Sequence, residues 1–98
     1  MPKYAARIDA NQPDIVKSFR KLGCSVAHIH MVGDGIPDII VGFQGNNYLI
    51  EIKDGSKPPS KRKLTDDEQE WHDNWLGSVH IIESISDVHN FLIAVSNS

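Results

Sequence analysis

Ninety-eight residues make one small domain, one that buries only about 60–65% of its unfolded surface and gains from pairing with a second copy. The 13 acidic against 10 basic side chains, a net charge of −3, exclude a uniformly basic nucleic-acid coat, so any phosphate binding has to come from local asymmetry. A single cysteine, Cys24, excludes an internal disulfide and suits a reducing compartment, and no apolar run is long enough to span a membrane.

Residues 11–22 predict an amphipathic helix. Asn11 is a fitting N-cap, Pro13 falls in the first turn where its missing N–H costs little, and Gly23 sits just past the end. Ile15, Phe19 and Leu22 recur at i, i+4 and i+7, with Val16 widening the stripe. Asp14 lies beside that stripe, where the helix dipole favours a carboxylate. Residues 25–31 alternate Val26, His28 and His30 against Ala27, Ile29 and Met31, the pattern of a strand with one apolar face. The following Gly33-Asp34-Gly35 serves a turn and permits close approach of a phosphate.

Residues 36–53 predict a β-hairpin, two runs rich in β-branched and aromatic residues around the cluster Gln44-Gly45-Asn46-Asn47. Pro37 is tolerated because it opens its strand. With the turn centred on Gly45-Asn46, Asp38 falls opposite Lys53. Side chains alternate, so Asp38, Glu51 and Lys53 share one face, while Ile39, Val41, Phe43, Tyr48, Ile50 and Ile52 form an apolar slab on the other. Two carboxylates there can hold a hard cation such as Mg2+, and the main-chain carbonyl of Ile52 offers one more oxygen. A lysine beside them completes a set suited to phosphodiester hydrolysis, in which Lys53 stabilises charge on the phosphate. His28 and His30 are weaker ligands for such an ion, which prefers oxygen; His30 is read as a DNA contact.

Residues 54–63 form a breaker-rich loop carrying Lys57, Lys61, Arg62 and Lys63, expected to supply sequence-independent attraction for DNA. Thr65-Asp66-Asp67-Glu68 is a capping box that opens a helix running to about Leu76, closed by Gly77. Trp71 and Trp75, one turn apart, are expected to pack into the core. Residues 79–85 read as a fourth strand, and Ser86-Asp87 opens a last helix with Val88, Phe91, Leu92 and Val95 at helical spacing. The order α-β-β-β-α-β-α is an α/β fold with a central mixed four-stranded sheet flanked by helices.

Pro37-Asp38, then Glu51-Ile52-Lys53 across a hairpin, resembles the PD-(D/E)xK nuclease signature. With Gly35 and the Lys-Leu-Thr-Asp-Asp-Glu-Gln-Glu-Trp-His segment, the likeness to short stand-alone members of the VRR-Nuc (virus-type replication-repair nuclease) family extends from about residue 7 to about residue 92. The resemblance implies a restriction-endonuclease-like core, with Asp14 as an acidic residue of the first helix approaching the metal. It also implies that Gln69, on the helix after the ExK strand, lies near Lys53 and a substrate phosphate, with His72 the weaker choice on that helix.

The resulting expectation is a single nuclease domain over residues 1–98, a Mg2+- or Mn2+-dependent endonuclease acting on branched or flapped DNA. Short relatives of this kind resemble Holliday junction resolvases, which act as homodimers. A chain this small has little surface for reading a base code. The alternative is a binding module that holds branched or single-stranded DNA within a replication or packaging assembly without cutting it. A restriction-type enzyme would need recognition elements beyond this length, and the plainest structural explanation of the trio is a solvated ion-pair cluster. Met1-Pro2-Lys3-Tyr4 opens no signal-like stretch, so a soluble protein of the cytoplasm is expected, a host cell's cytoplasm if the chain is virus-encoded.

Overall fold

A computed structural model describes residues 8–96; Met1-Pro2-Lys3-Tyr4 lie outside the described residues. The elements run α1 (Gln12–Lys21), β1 (Ser25–His28), β2 (Ile39–Phe43), β3 (Asn46–Ile52), α2 (Asp66–Asn74), β4 (Val79–Ile82) and α3 (Ile85–Ser96). The sheet order is β1-β2-β3-β4. The first three strands form an antiparallel meander, and α2 carries the chain across to β4, which pairs parallel to β3. This is the α/β arrangement expected from the sequence.

The apolar slab is the core. Ile39, Val41, Ile50, Ile52 and Ile82 pack against Ile15, Val16 and Phe19 of α1 and Val88 and Leu92 of α3. Phe91 joins this layer, meeting Phe19 and Tyr48 edge-on at 6.3 and 5.2 Å between ring centroids. Burying a side chain of this size is worth about 1.5–3 kcal/mol, so these ten residues fix which face of the sheet points inward. The opposite face, bearing Glu51 and Lys53, is left to α2.

The hairpin register differs from the expected one by two residues. Gln44 and Gly45 form the turn, both at positive φ (51° and 82°), so Phe43 faces Asn46 and Ile39 faces Ile50. A shift of two leaves every side chain on its expected face but sets Asp38 opposite Glu51, not Lys53. Four boundaries also move. β1 ends at His28, three residues early: Ile29 N–H still donates to the Asp38 carbonyl at 3.0 Å, but Pro37 has no N–H to continue the ladder. The chain then forms a short 3-10 turn at His30–Val32. α2 stops at Asn74, with Trp75 already extended. β4 ends at Ile82 and α3 begins at Ile85, because Ser84 Oγ accepts from Asp87 N–H at 3.1 Å while Asp87 accepts from Glu83 N–H at 2.9 Å. Finally, Asn11 makes no side-chain cap of α1, and Leu22 is the half-exposed C-cap beyond its end.

Candidate active site

Asp38 follows the buried Pro37 and stands just before β2, where its N–H donates to the Ile50 carbonyl at 3.1 Å. Its carboxylate oxygen Oδ2 accepts from the Ile52 N–H at 2.7 Å, a bond that fixes the side chain against β3. Glu51 sits beside it, only 2% exposed although it carries a carboxyl group. Burial first, then the charge of Asp38 and a hydrogen bond with it, push the Glu51 pKa up to about 10, and Glu68 adds to the shift. Metal-free Glu51 therefore holds a proton at neutral pH.

Lys53 follows on the same face. Its Nζ donates to Glu68 Oε1 at 2.6 Å, and the two side chains are 12% and 20% exposed. Burial works against the ammonium, but the hydrogen bond and charge of Glu68, with Glu51 and Asp9, outweigh it and hold the Lys53 pKa above its ordinary value. Glu68 is also opposed by burial, yet Lys53 and the Thr65 N–H keep its pKa below the usual glutamate value. The same carboxylate closes the Thr65 capping box, so the helix start and the lysine share one anchor. His72, one turn further along α2, brings Nε2 within 3.5 Å of Glu51 Oε1, and burial lowers its pKa. The Lys53 carbonyl and the Glu83 carbonyl both accept from Asn11 Nδ2, at 3.0 and 3.2 Å, which ties α1 to the ends of β3 and β4.

The sequence matches no family model and no curated protein. A solved structure titled as a VRR_NUC domain superposes with a TM-score of 0.62, covering 84% of this chain and 89% of that chain at 20% identity. The chain has the VRR_NUC fold. Its mixed four-stranded sheet and three helices form a restriction-endonuclease-like core.

Within the VRR_NUC fold, three expected site residues converge and two do not. Asp38, Glu51 and Lys53 share one face, and Ile52 lies between the last two, its side chain in the core and its N–H on Asp38. Gln69 turns away: it is exposed, and its Nε2 donates to Asp73 Oδ1 at 2.8 Å. Each helical residue rotates the side chain by about 100°, and α2 presents Glu68 and His72 to the sheet in its place. Asp14 is exposed on α1, lining grooves with Asp54 and Glu83 on one side and Lys21 and His89 on the other. The acidic residue near the site is instead Asp9, just before α1. Its pKa is raised chiefly by burial, with Lys53 opposing and Asp38 adding.

In the basic loop, Lys57, Lys61 and Lys63 are exposed, whereas Arg62 is held inward: Nε donates to the Lys57 carbonyl at 2.8 Å and Nη1 lies 3.4 Å from both Glu83 oxygens. His30 leaves the strand for the 3-10 turn, meeting His28 edge-on at 6.1 Å, with Nδ1 buried and without a hydrogen bond. Glu68 and Asp9 were the residues that sequence reasoning passed over. Glu68 carries a signal after the fact, since the N3 glutamate of a capping box turns its carboxylate back to the N-cap, the end of α2 at which Lys53 meets it. Asp9 carries none.

The donor set fits a hard divalent cation. Glu68, Glu51 and Asp9 act on the Lys53 ammonium, and the buried Glu51 carboxyl, beside Asp38, would ionise more readily with a further positive charge next to it. Among the described residues no three or more His, Cys, Asp or Glu side chains stand together as a preformed cage. The direct protein ligands would thus be Asp38 and Glu51, leaving other positions to water and phosphate, as Mg2+ prefers. No helix among the described residues is long and apolar enough to cross a membrane.

Proposed function

We propose that this chain is a Mg2+- or Mn2+-dependent DNA endonuclease that hydrolyses phosphodiester bonds in branched DNA as a homodimer. The observation that carries the reading is Glu51: a carboxyl 2% exposed, against Asp38, is held well above the usual glutamate range by burial and by that neighbouring carboxylate, so an added cation would favour its ionised form. The VRR_NUC fold supports the choice of substrate class.

The chemistry a divalent ion supplies here when bound is Lewis acidity toward a phosphate oxygen and acidification of a water nucleophile. Asp38 and Glu51 would hold it, the Ile52 carbonyl would offer a further oxygen, and the Ile52 N–H keeps Asp38 from rotating away. With an ion there, Glu51 would serve as the carboxylate, its proton released to solvent. Lys53 would donate to a non-bridging oxygen and stabilise the negative charge that the oxygens carry in the transition state. Glu68 keeps Lys53 charged and His72 holds Glu51, so both are positioning residues. Lys57, Lys61 and Lys63 attract the DNA backbone, and branch shape supplies selectivity that so small a surface cannot draw from base edges.

The test is incubation of wild type, Lys53→Ala and Asp38→Asn with a synthetic four-way junction and with supercoiled plasmid, in Mg2+, Mn2+ or EDTA. Junction cleavage in either metal, its absence in EDTA, and a loss of about 10²-fold or more in Lys53→Ala are expected. Undiminished cutting in EDTA refutes the metal role. Junction binding without cutting in any metal favours the non-cleaving module. Light scattering decides the dimer separately.

A further inference from the structure

Both tryptophans of the chain stand outside the core. Trp71 and Trp75 stack with ring centroids 4.6 Å apart and planes 16° apart, and Trp75 is 46% exposed. They line a groove of about 340 Å3 together with Asp34, Asp67, Glu70 and Asn74. On α2 the groove takes residues 67, 70, 71 and 74, a helical stripe distinct from the Glu68 and His72 side that meets the sheet.

Two glycines hold its walls. A Cβ at Gly35, where φ is 81°, would collide with the Asp67 carbonyl, so only glycine lets the loop bearing Asp34 lie against α2. A Cβ at Gly77 would lie 2.9 Å from Trp75 Nε1, so the chain leaves α2 directly over the indole edge. The groove has three carboxylates and no basic side chain in its lining. None of those three has a hydrogen-bond or ion-pair partner among the described residues.

That combination selects its occupant by charge and shape. A nucleic-acid strand stacks on indoles but brings phosphates against Asp34, Asp67 and Glu70. A neutral apolar peptide leaves three carboxylates unanswered. A guanidinium meets both demands, since its flat face stacks on an indole and its N–H fork pairs with carboxylates. We propose that this groove docks an arginine presented by a basic segment of a protein partner. Nothing in the proposal uses Asp38, Glu51 or Lys53, so it stands or falls apart from the nuclease reading.

Trp71 and Trp75 are the only tryptophans in the sequence, so the intrinsic tryptophan emission of the intact protein reports on this groove alone. The probe is a short Gly/Ser peptide bearing arginines, compared with the same peptide carrying lysine or citrulline and with a single-stranded oligonucleotide. A saturable emission change with the arginine peptide is expected, with several-fold weaker binding for lysine and none for citrulline or the oligonucleotide. By anisotropy of a labelled peptide, Trp75→Leu, which preserves net charge, weakens binding by roughly tenfold. Asp34→Asn does so by a few-fold; Asn tolerates the φ of 57° at that exposed position, so the fold is untouched. Equal peptide affinity in wild type and Trp75→Leu would reduce the effect to general attraction by an acidic surface and overturn the proposal. So would an unmoved emission, or an oligonucleotide that binds as tightly.

Discussion

Replacing Glu51 with glutamine removes a titratable group from a site that, metal-free, disfavours its charged form, and the consequence is a stability change with a definite pH dependence. The folded carboxyl pKa, about 10, lies above the ordinary 4.5. Between those values the native state therefore binds a proton that the unfolded state has released, and stability falls as pH rises through that window. Below 4.5 both states are protonated and nothing is lost. Each pH unit is worth about 1.4 kcal/mol, so at pH 7.5 the cost reaches about 4 kcal/mol at most, a large part of the stability of a domain this size. Glutamine keeps the shape and titrates in neither state. Urea unfolding of metal-free wild type and Glu51→Gln, in EDTA from pH 5 to 8.5, is expected to show the variant gaining on wild type by up to about 1.4 kcal/mol per unit. Added Mg2+ then stabilises wild type and not the variant, because only the carboxylate can exchange its proton for the ion. A stability difference that is flat with pH, or a variant that Mg2+ stabilises equally, refutes the reasoning.

The other expectations divide along the same structural lines. Gly35→Ala should cost about 2–4 kcal/mol in urea unfolding, combining an unfavourable φ with collision against Asp67, whereas Gly33→Ala, at φ 82° with open space around its Cβ, should cost about 1 kcal/mol; equal losses would contradict the packing of that loop on α2. Gln69→Ala should leave metal-dependent cleavage within about twofold, while His72→Ala should lower it several-fold by loosening Glu51; the reverse order would mean that α2 docks on the sheet with a different face. Replacing both Lys61 and Lys63 with alanine should weaken junction binding and reduce its salt slope by about two, measured by anisotropy across a salt series. Arg62→Ala should show its main effect in thermal unfolding, since that guanidinium is committed to Lys57 and Glu83.

Much of this architecture follows from short-range patterns, and particular residues show where they stop. The apolar slab from Ile39 to Ile52 and the Thr65 capping box depend on alternation and local hydrogen bonding, and both stand where the sequence puts them. The hairpin register does not follow, because registers differing by two residues bury the same side chains; hydrophobic patterning rejects only odd slips. Trp71 and Trp75 were expected in the core because of their bulk. The core is instead filled by aliphatic residues of β2, β3 and β4, with α1 and α3 covering them, and the indoles remain outside, stacked on each other.

The sequence by itself determined the order of elements, the inward face of the sheet, and the placing of Asp38, Glu51 and Lys53 on the other face, since period-two alternation and burial leave no second choice. Tertiary structure alone decided that Glu68 and His72, not Gln69, meet those residues, and that Asp9, not Asp14, stands near them. The rotation of a helix about its axis and the path of the chain entering α1 are set by contacts between segments far apart in sequence. Glu68 reaches Lys53 across 15 positions and Asn11 reaches Glu83 across 72, and no local pattern encodes either distance.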